Sequence, residues 1–355
     1  MPRSAADLDI VMSHDVDQFL TEDVCDYASV ARDFVGIAKP DLSDAAAVQR
    51  YNEALLSLYK PFDASTEFAQ SVAFEPLDDG RAMPSFDQLT EVYPDTKCPY
   101  LDQPSASHAH FAPHQRYWAE NGYLLIRGMI DRETCDEYLA LREQLALGRG
   151  SFPTFTPYLN HDVIRRMFCS AEINALLIDL VGEELGIHFN LTPFHSTERG
   201  WHQDEYLNPP GTFGRYAAVW IAVDDVPADS GPFEFIRGSH KWPSVSRNKV
   251  IEYLKPQFRP DERNLQDWAA RAPMFVNPAY FYKFALEKLP STKFVGKKGD
   301  VLIWHSRLAH RGSPPLSKTA IRPGVIGHYS PIRDTRWFGG DIRRNGFGGY
   351  YWQFD

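Results

Sequence analysis

The sequence predicts a mainly-β protein with flanking helices (α+β), built on a jelly-roll or cupin-like core, the double-stranded β-helix. Three observations carry this. Beyond about residue 185 the apolar residues fall in short runs bounded by Gly, Pro, Asp or Ser, a pattern of sandwiches and barrels rather than of parallel sheets. Before that point the pattern is helical, with capping residues and apolar positions near a 3.6 period. Finally, Trp201-His202-Gln203-Asp204 is answered far downstream by a second histidine-bearing segment, Gly299 to His310. A fold that lays distant strands side by side is needed to join the two.

Taken in order, residues 1–42 are acidic and weakly periodic. Ser43 caps an expected helix that runs to Lys60, with Val48, Tyr51, Leu55 and Leu58 near helical spacing and Pro61 as its stop. Pro, Asp and Ser dominate from there to Ser105, so 1–105 reads as a partly helical extension packed on a domain spanning 106–355. His114 to Asn121 reads as helix, and Gly122 to Gly128 as a short buried strand. Asp131 caps a helix whose apolar face is Tyr138, Leu139, Leu141 and Leu145, ending before Gly148. A further helix is expected from Ser170 to Glu184, with Ile173, Leu176, Leu177 and Leu180 inward. The strands then follow: Ile187–Leu191, Ala217–Val223, Phe233–Ile236, Asp300–Trp304 and Gly324–Tyr329. Residues 247–290 interrupt them with a helical insert carrying Val250, Tyr253, Leu254 and Trp268.

Composition narrows the function classes. The formal charge is -10, and it is concentrated in the first 105 residues, where acids outnumber bases by 20 to 7. A nucleic-acid partner is therefore not expected. The later part carries a slight excess of bases, which would suit an anionic small-molecule substrate or cosubstrate. Cys25, Cys98, Cys135 and Cys169 are dispersed, which argues for reduced thiols in the cytoplasm and against a disulfide framework or thiolate zinc site. The N-terminal stretch Met1 to Asp9 has no apolar core of signal-peptide length, and nowhere do about 18 apolar residues run together, so no membrane span is expected.

The chemistry rests on His202 and Asp204. In an extended strand positions i and i+2 share a face, so these two can grip one ion while Gln203 turns away. Taken singly, a His or Asp of this kind is more often a hydrogen-bonding or surface residue. A third ligand must come from another strand, and His310 is the expected one, with His305 of the same segment as its rival. Two imidazoles and one carboxylate are the facial ligand set of non-haem Fe(II) oxygenases, which leaves coordination positions open.

Residues from about 112 to 332 resemble the phytanoyl-CoA dioxygenase family of Fe(II)/2-oxoglutarate oxygenases. The resemblance runs through five elements in order: Asn121 to Ile130, His202-Gln-Asp204, Gly231 to Lys241 with its Gly-Ser-His, Gly299 to Ser313, and Arg322. It implies that His202, Asp204 and His310 hold iron and that Arg322 pairs with the distal carboxylate of 2-oxoglutarate, a contact suited to the guanidinium fork. Trp220 resembles the family tryptophan beside the cosubstrate, though a plain core aromatic is an equal reading. Ser313 can donate to the same carboxylate, with Gly312 as the alternative position. His240 reads as structural and His195 as near the site. His108, His110 and His114 read as surface residues, while Asn190 and Thr192 are open as cosubstrate or substrate contacts.

The implied cofactors are Fe(II), 2-oxoglutarate and O2, with succinate and CO2 released and an aliphatic C–H of a small molecule or acyl metabolite hydroxylated. Related carrier-linked halogenases lack the carboxylate, so Asp204 favours hydroxylation. The alternatives are a cupin-type metal enzyme that does not use 2-oxoglutarate, which would not need Arg322, and a non-catalytic binding protein, which would not need an intact triad. Arg215, Arg333, Arg336, Arg343 and Arg344 are candidates to meet an anionic substrate, each otherwise a solvated surface charge.

Overall fold

The computed structural model describes residues 3–12, 20–23, 84–92, 111–197, 199–208, 214–254, 289–317, 319–333 and 339–354, with scattered positions at 44, 46, 259, 267–273, 276–277, 279–280 and 283. The helix expected from Ser43 to Lys60 lies outside the described residues save Asp44 and Ala46, as does the boundary drawn at 105/106.

In chain order the strands are β1 (Asp9–Val11), β2 (Leu20–Asp23), β3 (Thr90–Glu91), β4 (Tyr123–Arg127), β5 (Leu185–Leu191), β6 (Ala217–Ala222) and β7 (Phe233–Phe235). They continue with β8 (Ser244–Val245), β9 (Ser291–Phe294), β10 (Val301–His305), β11 (His310–Gly312), β12 (Gly324–Pro331), β13 (Asp341–Arg344) and β14 (Tyr350–Gln353). The larger sheet has the order β1-β4-β10-β6-β12-β5-β14-β13, and the smaller one β11-β7-β9-β2, while β3 pairs with β8. All the ladders are antiparallel except β14 on β5. The chain is thus mainly β, and neighbours such as β6 and β12 are far apart in sequence, as expected.

The alternation of side chains along each strand explains the layers. On β6, Ala217, Val219 and Ile221 face the helices, while Ala218, Trp220 and Ala222 face the smaller sheet. On β10, Val301 and Ile303 take the first side, and Leu302 and Trp304 the second. Phe233, Phe235 and Phe294 of the smaller sheet complete the inter-sheet core. A strand buried on both faces has no solvent-facing positions, and β6 and β10 are accordingly apolar almost throughout.

The helices are α1 (Phe86–Leu89), α2 (Pro113–Asn121), α3 (Arg132–Gln144), α4 (Asp162–Phe168), α5 (Ala171–Val181), α6 (Arg247–Tyr253) and α7 (Asp267–Arg271). Asp131 caps α3 by accepting from the Thr134 N–H at 2.7 Å, and Ser170 caps α5 by accepting from Ile173 at 3.2 Å. Two expectations are corrected. Helix α5 stops at Val181 rather than Glu184, because Gly182 adopts the left-handed conformation (φ 86°) and closes it. On α3 the expected Tyr138, Leu139 and Leu141 pack on the core beside buried Thr134, Cys135 and Arg142, but Leu145 lies past the end and is 44% exposed. The Arg142 guanidinium instead donates to the carbonyls of Thr192, Gly148 and Gly150 at 2.7–3.0 Å. Helices α6 and α7 fall within the expected insert and pack with Trp201 and Tyr206 in a separate apolar cluster. No described helix is long and apolar enough to cross a membrane.

Candidate metal centre

His202 and Asp204 do not share a strand face, contrary to expectation. His202 forms an isolated antiparallel bridge with His310, each N–H donating to the other's carbonyl at 3.0 Å. The chain then turns. Asp204 has helical dihedrals (φ -68°, ψ -28°) and opens the short turn Glu205–Leu207, whose first N–H donates to the Ser306 carbonyl at 3.2 Å. The ligands converge because the backbone curls round the site, and both histidines come from one bridge.

The His202, Asp204 and His310 side chains form a buried cluster whose ligand atoms lie within 4.8 Å of one another. Nε2 of each histidine is 3.6 Å from Asp204 Oδ1. Nδ1 of His202 is 2.7 Å from the Gly200 carbonyl and Nδ1 of His310 is 2.8 Å from that of Leu308. A carbonyl accepts only, so each Nδ1 carries the proton and each Nε2 offers its lone pair toward Asp204. Trp304 Nε1 donates to Asp204 Oδ2 at 3.0 Å, which holds the carboxylate with Oδ1 inward. The ring of Phe233 stacks on His310 at 5.0 Å. Burial would raise the Asp204 carboxyl, but His310, His202 and His328 outweigh it and hold the group well below the usual carboxylate range. Burial pushes His310 down to about 3, so its imidazole is neutral. Two imidazole nitrogens and one carboxylate oxygen are a donor set that fits a divalent iron.

Two buried ion pairs pin the ligand segments. Arg307 donates to both carboxylate oxygens of Glu205, next to Asp204, at 2.7 and 3.3 Å. Arg311, next to His310, donates to Glu234 at 2.6 Å. Gln203 turns away from the cluster, as expected, and is held by Arg307 O and Val245 N, both at 2.9 Å.

The triad lines a cavity of about 380 Å³ that also contains Arg322. Arg322 is 3% exposed, and its only side-chain bond among the described residues is from Nη1 to the Gly231 carbonyl at 3.3 Å. Its Nε has no partner and no described carboxylate pairs with it. Burial alone pulls it from 12.5 down to about 10. A buried guanidinium without a counter-charge is costly, and an anion in the cavity would supply one.

Other expected positions are resolved differently. Trp220 is absent from the cavity wall; it is fully buried, edge-on to Phe294 at 5.2 Å, beneath Gly324. Its place on β6 points it between the sheets. Ser313 is likewise not on the wall, because its hydroxyl donates to Glu234 at 2.9 Å; Gly312 is there instead. His305 sits against Trp118 and His240, each ring 5.7 Å away, outside the cluster that His310 joins. His240 is structural, with Nε2 3.1 Å from the Ala119 carbonyl. His195 is not on the wall. Asn190 donates to the Ile326 carbonyl at 2.9 Å and Thr192 accepts from Phe152 N–H at 3.1 Å, so both serve the frame. His114 bonds Asp179, tying α2 to α5, while His108, His110 and Arg336 lie outside the described residues. Arg215 and Arg333 pair with Glu183, and Arg343 with Asp341, away from the cavity; Arg344 lies over Tyr350.

Residues 118–324, more than half of the chain, match the family described as Phytanoyl-CoA dioxygenase (PhyH). The chain belongs to the phytanoyl-CoA dioxygenase family. Fe(II), 2-oxoglutarate and O2 are the family's cofactor and cosubstrates, and the donor set agrees with them. Similar solved structures include the epimerase SnoN in complex with Fe3+, alpha ketoglutarate and nogalamycin RO, at 20% identity over 61% of this chain and 81% of that one, TM-score 0.43. The carbocyclase SnoK is 18% identical over 61% and 83%, TM-score 0.46. EctD from S. alaskensis with 2-oxoglutarate and 5-hydroxyectoine is 15% identical over 76% and 86%, TM-score 0.44. No curated protein matches.

For a member of this family the wall holds residues that sequence reasoning missed, among them Trp304, Tyr216, His188 and His328. Trp304 carried no signal, since its bond to Asp204 spans 100 residues. His328 did carry one. Counting by twos from Arg322 along β12 gives Gly324, Ile326 and His328, and both Ile326 and His328 reach the wall.

Proposed function

We propose that this chain is an Fe(II)- and 2-oxoglutarate-dependent dioxygenase that hydroxylates an aliphatic C–H bond of a small molecule, releasing succinate and CO2. The observation that carries the reading is the pairing, in one cavity, of the His202–Asp204–His310 cluster with the uncompensated guanidinium of Arg322. Bound at the cluster, iron supplies O2 activation coupled to oxidative decarboxylation of 2-oxoglutarate, with one oxygen atom passing to the substrate and the other to succinate.

The protein's own residues do the rest. His202 and His310 present Nε2 because the Gly200 and Leu308 carbonyls hold the Nδ1 protons. Asp204 presents Oδ1 because Trp304 holds Oδ2. Arg322 receives the far carboxylate of 2-oxoglutarate and so fixes the length and direction of the cosubstrate. Phe233, Leu191 and Ile326 line the chamber with apolar surface that excludes water from the reacting end. With Asp204 occupying its ligand position, hydroxylation is the outcome to test first.

Purified protein reconstituted with Fe(II) should release succinate from 2-oxoglutarate, and a metabolite panel read by mass spectrometry should show a gain of one oxygen atom. His202→Ala and Asp204→Ala should abolish the 2-oxoglutarate decarboxylation while the far-ultraviolet circular dichroism stays that of the parent. Parental turnover in either variant would remove that residue from the centre.

A further inference from the structure

The wall of the chamber carries a further guanidinium that neither the metal cluster nor the cosubstrate claims. Arg199 lies on it, three residues before His202, and unlike Arg322 it is exposed, as is Thr197 beside it on the wall. This is the end at which the chamber opens. No carboxylate pairs with Arg199 among the described residues. The titratable groups that sense its charge are the Tyr206 phenol and the His328 imidazole. Burial keeps the phenol protonated and holds the imidazole down at about 4, so both are neutral and neither offsets the charge. A guanidinium has five N–H donors in a fork, and a phenol satisfies only part of it.

The backbone under Arg199 is held from two directions. Gly312 N–H, two residues past His310, donates to the Arg199 carbonyl at 3.3 Å, and the next carbonyl, Gly200, is 2.7 Å from His202 Nδ1. Gly200 is packed flush on the helical insert: a Cβ there would lie 1.7 Å from Nδ2 of Asn277. Trp201 is buried in the apolar cluster that the insert supplies. Arg199 therefore rises from a segment tied to the metal ligands on one side and to the insert on the other.

Charge decides what Arg199 can receive. Asp204 is the only acid on the wall among the described residues, against the guanidinium groups of Arg199, Arg311 and Arg322. Arg311 is paired with Glu234 at 2.6 Å. In the loaded centre a divalent cation is offset by Asp204 and by one carboxylate of 2-oxoglutarate, and Arg322 by the other carboxylate. Those charges cancel, and the charge of Arg199 is left over. A ligand with one negative group completes the balance at the mouth, whereas a neutral one does not. Phe189, Leu191 and Leu207 on the same wall give such a ligand an apolar surface to lie against.

We propose that Arg199 anchors the substrate at the mouth of the chamber and that the substrate is a small monocarboxylic acid. Its carboxylate accepts from the Arg199 fork, and its apolar body lies against Phe189, Leu191 and Leu207 and presents a C–H bond to the metal cluster. This inference rests on the function proposed above.

The probes are straight-chain carboxylates from butanoate to octanoate and the corresponding primary amides, which match them in shape and lack the charge. Calorimetric titration of the full-length protein, loaded with Zn(II) and saturating 2-oxoglutarate, reads their binding without turnover and keeps them off Arg322. The parent should bind each acid about fivefold more tightly than its amide, the upper range for an ion pair open to solvent. Arg199→Gln should bind acid and amide alike, while Arg199→Lys, which keeps the charge, should retain a preference for the acid. Equal affinities in the parent, no binding of any acid, a preference that survives Arg199→Gln, or one lost as fully in Arg199→Lys each overturns the proposal. Parent protein that prefers the acids as expected but releases no succinate with Fe(II) defeats the dioxygenase reading alone.

Discussion

Replacing Arg322 by Met should make the ligand-free protein more stable and the cosubstrate site much weaker. Burial draws the Arg322 guanidinium from 12.5 to about 10, which at about 1.4 kcal/mol per tenfold change corresponds to roughly 3 kcal/mol of desolvation. No described carboxylate offsets it. Met keeps an apolar stem of similar length and carries no charge. The Gly231 carbonyl loses its partner at 3.3 Å, which returns about 1 kcal/mol of that gain. A net stabilisation of about 2 kcal/mol remains, or a few degrees in Tm for a chain of this size. The opposite sign is expected with 2-oxoglutarate present. Removing one partner of a buried, hydrogen-bonded charge pair costs about 3 kcal/mol or more, equivalent to a hundredfold or larger rise in Kd. The assay is a pair of melting curves, with and without saturating 2-oxoglutarate in the presence of Zn(II), supplemented by calorimetric titration. The parent should gain Tm on adding 2-oxoglutarate and Arg322→Met should not. A variant that melts lower without ligand and still binds 2-oxoglutarate like the parent would refute the argument.

Three further outcomes follow from the same geometry. Trp304→Phe removes the donor to Asp204 Oδ2, so affinity for a divalent metal should fall about tenfold, as seen for outer-shell partners generally; titration with Mn(II) or Fe(II) measures it. Glu234→Gln leaves Arg311 buried without its anion and should cost about 3–5 kcal/mol at neutral pH. The sign of its pH dependence is set by Glu234: burial raises its carboxyl, but Arg311 and Ser291 outweigh this and hold it below its ordinary 4.5. Its contribution is present above about 4.5 and lost as pH falls through the folded value, so urea midpoints of parent and variant should approach each other in acid. A difference independent of pH would count against the assignment. Gly324→Ala would place a Cβ 1.7 Å from the Trp220 ring, so it should destabilise by several kcal/mol, seen as a drop of the urea midpoint.

Much of the strand and helix order was legible because it depends on local pattern. The apolar runs at β4, β6, β10 and β12 and the caps at Asp131 and Ser170 appear where periodicity and capping chemistry put them. Leu145 was misread because a helical period does not announce where the helix ends. At the site, residue types were legible and their geometry was not. The spacing of His202 and Asp204 suggested a shared strand face, whereas the backbone turns at Asp204. Trp220 and Ser313 follow the family pattern in sequence, yet one is committed to Phe294 and the other to Glu234. Those commitments are contacts between strands remote in sequence, and no local rule encodes them.

The sequence by itself determined the family and the inventory of ligands, since an imidazole, a carboxylate and a guanidinium are covalent facts that spacing and order can expose. Only the tertiary structure decided which atoms they present. Nε2 of His202 and His310 faces Asp204 because two backbone carbonyls hold the other nitrogens. Arg322 lacks a counter-charge because no described acid reaches it. Protonation, orientation and missing partners are properties of what surrounds a side chain, and here the surroundings are assembled from strands more than a hundred residues apart.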